Sequence, residues 1–176
     1  MPCVVILGLS RSGKDVVTNY LVQRHDFEKF DLNEVLMEET RSRRISPTKA
    51  NMENVREDML KREGQSSIAR KTLRTAPRSG RIVVVGIRSS PEMKELNLVF
   101  PDAIVIRVDS DEEKRYTRKD RSDAVSREDF YAREDYDISE NNLNRVLDSA
   151  DYVIDNNQGI APLYGKIEDF LKKYRL

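Results

Sequence analysis

Four short apolar runs punctuate the chain: Cys3-Val4-Val5-Ile6-Leu7, Ile82-Val83-Val84-Val85, Ile104-Val105-Ile106 and Tyr152-Val153-Ile154. They are rich in β-branched residues and continuous rather than alternating, as strands covered on both faces read. Phe27 to Phe30 reads as one more, shorter strand. Between the runs the spacing is helical. Val16, Val17, Tyr20 and Leu21 form one apolar face, and further helical stretches run from about Asn33 to Arg44, Asn51 to Arg62, Ser66 to Thr75 and Ala161 to Tyr174. Strands alternating with helices predict an α/β protein, a parallel sheet with helical crossovers on both faces. Pro47, Pro77, Pro91, Pro101 and Pro162 fall at element boundaries, and no linker divides the chain, so residues 1–176 read as one domain. Its core is 1–31, 79–110 and 150–176. The helical segment 32–78 is too long for a single crossover, and the polar segment 111–149 reads as a cover outside the core.

Composition narrows the class. The 176 residues include 31 Lys or Arg and 31 Asp or Glu, a formal net charge of zero. Charged residues make up 35% of the chain, which suggests a surface laced with ion pairs. Balanced charge argues against bulk binding to nucleic acid or to an anionic membrane, so any basic site is local. No apolar run approaches the roughly 20 residues that span a bilayer, and no basic-then-apolar leader is present. One cysteine, Cys3, forms no internal disulfide, and no Cys/His cluster could hold zinc. A cytoplasmic domain is the expectation.

The chemistry begins at Gly8-Leu9-Ser10-Arg11-Ser12-Gly13-Lys14-Asp15, which fits G-x-x-x-x-G-K-[ST] at every fixed position but the last. It follows the first apolar run and opens the first amphipathic helix at Val16. Gly8 and Gly13 let the backbone wrap closely, so that the N–H groups of Ser10, Arg11, Ser12 and their neighbours surround phosphates at a helix N-terminus. Lys14 then reaches the β- and γ-phosphates of a nucleotide such as ATP. Asp15 replaces the hydroxyl that normally contacts magnesium. A carboxylate is itself a magnesium ligand, and it is also an ordinary helix-start residue.

Other candidates lie at strand ends. Arg88 follows Ile82 to Val85 through Gly86-Ile87, where the C-terminal end of a parallel strand opens on the ligand crevice, and is placed to hold a phosphate of the phosphoryl acceptor. Position 85, where an acidic metal-side residue is expected, is Val. Arg115, Arg118 and Arg121 recur at intervals of three, beside Lys114 and Lys119, a row able to close over a transferring phosphate. The competing reading pairs this face with Asp111, Glu112, Asp120 and Asp123. Asn156-Asn157-Gln158-Gly159 follows the last strand and either borders the base of the donor nucleotide or is a simple turn before the last helix.

Taken together, these residues resemble the archaeal adenylate-kinase-related, dephospho-coenzyme-A-kinase-like family of P-loop kinases. The resemblance rests on Gly8 to Asp15, Asn33 to Thr40, Pro47-Thr48, Gly86-Ile87-Arg88-Ser89, Arg118 with Arg121-Ser122-Asp123, Phe130 with Arg133, and Ala150 to Asn156. It implies a five-stranded parallel sheet, an acceptor-binding segment at 32–78 and a lid at 111–149. It also implies transfer of the γ-phosphoryl of Mg-ATP to a nucleotide-like acceptor, held by Arg88, Arg133 and Arg41. The sequence departs from the pattern at Asp15, at Val85 and at Met37, where such kinases carry an arginine; Arg41 lies one turn on. Two alternatives stay open: a dephospho-coenzyme A kinase, and a nucleotide-binding or ATPase regulatory protein with a degraded acceptor site.

Overall fold

A computed structural model of the chain describes residues 1–77, 79–118, 126–140 and 142–176, apart from the side chains of Arg133, Asp137 and Glu140. Its strands are β1 (Cys3–Leu7), β2 (Phe27–Asp31), β3 (Arg81–Val85), β4 (Ile104–Asp109) and β5 (Tyr152–Asp155). They form one five-stranded sheet in the order β2-β3-β1-β4-β5. Every pairing is parallel. The helices are α1 (Lys14–His25), α2 (Leu32–Ser42), α3 (Lys49–Glu63), α4 (Ser67–Leu73), α5 (Ser90–Val99), α6 (Glu112–Thr117), α7 (Arg127–Glu140), α8 (Leu143–Leu147) and α9 (Ile160–Tyr174).

Alternate side chains of each central strand feed two cores. Cys3, Val5, Leu7, Ile82 and Val84 pack with α2 to α5 and α8. Val4, Ile6, Val83 and Val85 pack with Val17 and Leu21 of α1 and with Leu163, Ile167 and Phe170 of α9. All five residues of β1 are buried, which is why its run carries no polar alternation. Burial also pushes the Cys3 thiol up to about 12, so it is an inert core residue.

The sequence reading left 90–99 unassigned. Its helix α5 is capped by Ser89, with Pro91 in the first turn and the Glu92 carboxylate accepting from the Ser89 N–H at 3.2 Å. Strand β4 runs on to Asp109 beyond its apolar run, because Arg107 and Asp109 pair with each other at 2.9 Å on the outer part of the sheet. Among the described residues no helix is long and apolar enough to cross a membrane.

With all strands parallel, the C-terminal ends of β1, β2, β3, β4 and β5 open on one edge. The loop before α1, the α3 face and the helices α6 and α7 gather there.

Candidate active site

The loop from Gly8 to Lys14 is fixed by two glycines. A Cβ on Gly8 would lie 2.5 Å from the Val108 carbonyl oxygen and 2.6 Å from Ser12 Oγ. Gly13 has φ 106°, and a Cβ there would collide with the Asn156 amide nitrogen. Cationic side chains engage the carbonyls of the loop in turn. Lys14 Nζ donates to the oxygens of Gly8 at 2.9 Å and Leu9 at 2.7 Å. Arg115 Nη1 reaches the Ser10 oxygen at 3.4 Å, and Arg118 Nη1 reaches those of Arg11 at 3.3 Å and Ser12 at 3.1 Å. Ser12 is fully buried, and its Oγ, next to the Gly8 Cα, has no hydrogen-bond partner among the described residues. A buried unsatisfied hydroxyl inside a loop that opens a helix is a donor awaiting an acceptor. Asp15 is exposed in the first turn of α1.

The two asparagines after β5 are spent on the protein. Asn156 Nδ2 donates to the Ser12 oxygen at 2.8 Å, and the Asn156 carbonyl accepts from Arg118 Nη2 at 2.6 Å. Asn157 Oδ1 accepts from the Asp111 N–H at 2.8 Å and the Ser110 hydroxyl at 3.1 Å. Both amides therefore brace the loop and the start of α6 instead of facing outward for a base; Gln158 and Gly159 are exposed. A Lys166 hydrogen bond, helped by one from Asn157, holds the Asp155 carboxyl below the usual carboxylate range.

The arginine row divides. Arg115 is buried and forms a two-pronged pair with Glu134 of α7, one prong at 2.7 Å. Its charge is neutralised there, by neither Asp111 nor Glu112, and it ties α6 to α7 and to the loop. Arg118 is the row member whose guanidinium lies against the loop and Asn156. Arg121, Lys119, Asp120, Asp123 and the Arg133 side chain lie outside the described residues. Arg11 strengthens the tie to α7: its guanidinium lies 4.6 Å over the Phe130 ring and donates to the Tyr116 oxygen at 3.2 Å.

Arg88 stands at the mouth of β3, as its position predicts, and is engaged. Nη1 donates to Glu53 Oε2 of α3 at 2.9 Å and Nη2 to Asn33 Oδ1 of α2 at 3.4 Å. Its N–H donates to Glu92 Oε2 at 2.8 Å. The other Glu92 oxygen pairs with Arg56 of α3, with both side chains at most 1% exposed. Arg41 is exposed in the last turn of α2.

Sequence reasoning missed Asp31. It ends β2 in register with Val85, so a carboxylate stands one strand away from the position where one was expected. Its Oδ1 accepts from the Asn33 N–H at 2.9 Å and would lie 3.2 Å from a Cβ on Gly86. The only signal in the sequence was an Asp at the end of a short strand, which a helix-capping role already explains.

Among the described residues no three His, Cys, Asp or Glu side chains form a metal cage. Magnesium is commonly held by one or two carboxylates together with substrate phosphates and water, and the oxygen donors of Asp15 and Asp31 fit that use. On the α8 side, a groove of about 510 Å³ beside Leu9 is lined by Asp109, Asp111, Asp148 and Asp155 together with Arg107, which pairs with Asp109 and Asp148.

A five-stranded parallel sheet flanked by helices in this way has solved counterparts. The fold is shared with solved shikimate kinases. Shikimate kinase from Bacteroides thetaiotaomicron superposes with a TM-score of 0.65 at 8% identity, over 99% of this chain and 98% of that one. Shikimate kinase from Acinetobacter baumannii, solved with shikimate, gives 0.63 at 19% identity, over 100% and 96%. At such identities the likeness is one of fold. In sequence, the chain is 30% identical over 118 residues to a UPF0200 protein of Methanothrix thermoacetophila, covering 67% of this chain and 64% of that one. It is 26% identical over 180 residues to a UPF0200 protein of Thermococcus onnurineus, covering 97% and 96%. The chain thus spans just under two thirds of the Methanothrix protein and nearly all of the Thermococcus one. No family model matches.

Proposed function

We propose that the chain is a small-molecule kinase that takes Mg-ATP on the Gly8–Asp15 loop and passes the γ-phosphoryl group to an acceptor seated between Arg88 and Asp31. The observation that carries this reading is the loop itself. Its carbonyls are held by Lys14, Arg115 and Arg118, and its one buried hydroxyl, Ser12 Oγ, is left without a partner among the described residues. Lys14 exchanges two carbonyl contacts for β- and γ-phosphate oxygens, a stronger charge-assisted pairing. Arg118, joined by Arg121, neutralises charge on the transferring group. In the transfer an acceptor oxygen bonds to the γ-phosphorus and the bond to the bridging oxygen breaks, so the electron pair leaves with ADP. A hydroxyl acceptor gives its proton to the Asp31 carboxylate. Magnesium, if bound, would be held by Asp15 or Asp31 and would supply neutralising charge to the donor phosphates.

The resemblance to adenylate-kinase-related and dephospho-coenzyme-A-kinase-like proteins supports a nucleotide-like acceptor whose phosphate meets Arg88, with Arg41 and Arg133 in support. A regulatory nucleotide-binding protein is the second reading, favoured by Val85 and by the engagement of Arg88 with Glu53. A product assay separates the two: ATP is incubated with nucleoside monophosphates, their deoxy forms and dephospho-coenzyme A. A phosphorylated acceptor is expected. ADP and inorganic phosphate as the sole products, with every acceptor recovered unchanged, would establish the regulatory reading instead.

A further inference from the structure

Glu53 occupies the guanidinium that the proposed function assigns to the acceptor. It reaches Arg88 from α3, 35 residues away in sequence, and Asn33 of α2 takes the other end of the fork. The pair is partly open to solvent, with side chains 29% and 36% exposed, so an incoming anion can compete for it. The helix that carries Glu53 is not free to withdraw. Three residues further along it, Arg56 is locked to Glu92 in the buried pair, and Glu92 in turn binds the N–H groups of Arg88 and Ser89. Release of Arg88 therefore falls to the Glu53 side chain, which rotates on a fixed backbone.

We infer that Glu53 is a built-in stand-in for the anionic group of the acceptor and sets the specificity of the Arg88 site. It rests on the reading of Arg88 as the acceptor's anion ligand. A phosphate or carboxylate gains Arg88 only by displacing Glu53, so weak or singly bonded anions are rejected. An acceptor able to take both Arg88 nitrogens in a planar, two-pronged contact is admitted. Asn33 lies against the same guanidinium and its N–H is held by Asp31, a carboxylate able to accept from a hydroxyl or amine, so the class of acceptor selected carries an anionic group and a hydroxyl or amine close to it.

The test is inorganic phosphate titrated into the wild type, Glu53→Gln, Glu53→Gln/Arg88→Ala and Glu57→Gln, each saturated with ADP so that the loop is filled. Glu57 lies one turn from Glu53 and accepts from the Tyr136 hydroxyl at 3.3 Å, so its variant controls for the lost charge alone. Glu53→Gln should bind phosphate about three- to tenfold more tightly than the wild type, as expected for removing a partly exposed competitor. The double variant should lose that gain, and Glu57→Gln should show none. Equal affinity in Glu53→Gln and wild type, a gain that survives loss of Arg88, or the same gain in Glu57→Gln overturns the inference. So does an absence of phosphate binding to Glu53→Gln. Failure of the loop reading shows itself separately, as ADP that binds none of the four proteins, and the Arg88-dependent difference is still read without it.

Discussion

At the proposed donor end of the site, the Gly8–Lys14 loop is braced by Asn156 and Arg118 from other elements, and the cations of Lys14 and Arg118 meet its backbone carbonyls. At the acceptor end, Arg88 is held by Asn33 and Glu53 from two helices remote in sequence, and its cation meets a carboxylate. The difference is chemical. Carbonyl contacts are weak, shared and readily exchanged for phosphate oxygens, so the donor site is prepared for its ligand. A carboxylate is a competitor of the same kind as the ligand, so the acceptor site is guarded.

The largest effect on nucleotide binding should come from the proposed donor loop. Gly8→Ala forces a methyl group against the Val108 carbonyl, a backbone atom that cannot swing aside. Nucleotide binding should be lost, with a destabilisation of about 1–3 kcal/mol in denaturant unfolding. Gly165→Ala in α9, whose Cβ meets nothing within 4 Å and whose backbone is helical, is the contrasting case and should keep nucleotide binding. At the acceptor end, Glu92→Ala leaves the buried Arg56 without its partner and frees the Arg88 backbone. A loss of about 3–5 kcal/mol is expected, largely recovered in an Arg56→Met/Glu92→Leu double variant. If the single and double variants are equally unstable, the pair is not what makes Glu92 costly to remove.

These two sites show what was legible in the sequence and what was not. The loop could be read because strand, glycines, lysine and helix are contiguous and each is demanded locally. The strands could be read because burial on both faces leaves unbroken apolar runs such as Cys3 to Leu7. Glu53, Glu92 and Glu134 could not be read, because their partners Arg88, Arg56 and Arg115 lie on other elements and only the fold brings them together. Asn156 and Asn157 were legible as loop amides but not as braces, since their partners Ser12 and Asp111 also belong to other elements. In a chain so rich in charge, local spacing offers too many pairings to choose among.

A sharper cut between the two ends is Arg88→Ala. Loss of one charge-assisted contact should weaken acceptor binding about ten- to a hundredfold while ATP affinity stays near that of the wild type. A loss confined to ATP would mean that the donor and acceptor ends are reversed. The smallest effect expected is on the brace behind the donor end. The Asp155 carboxyl is held low chiefly by Lys166, so the pair stabilises the fold above the ordinary carboxylate pKa. That contribution is lost as pH falls through the depressed value. The pair is partly exposed, and Lys166 Nζ also donates to the Asp155 backbone carbonyl at 2.7 Å, so Lys166→Met should lower Tm by about 2 °C or less at pH 6 and by a smaller amount once Asp155 is protonated. A pH-independent shift would assign the Lys166 effect to the carbonyl contact and packing.

In the proposed kinase, Lys14 exchanges loop carbonyls for nucleotide phosphates. Calorimetric titration of Mg-ATP into the wild type and into Lys14→Ala, with both proteins shown folded by circular dichroism, tests it directly. The wild type should bind one equivalent and the variant about a hundredfold more weakly or not at all. Equal affinity in the two proteins, or no binding by the wild type, would contradict it.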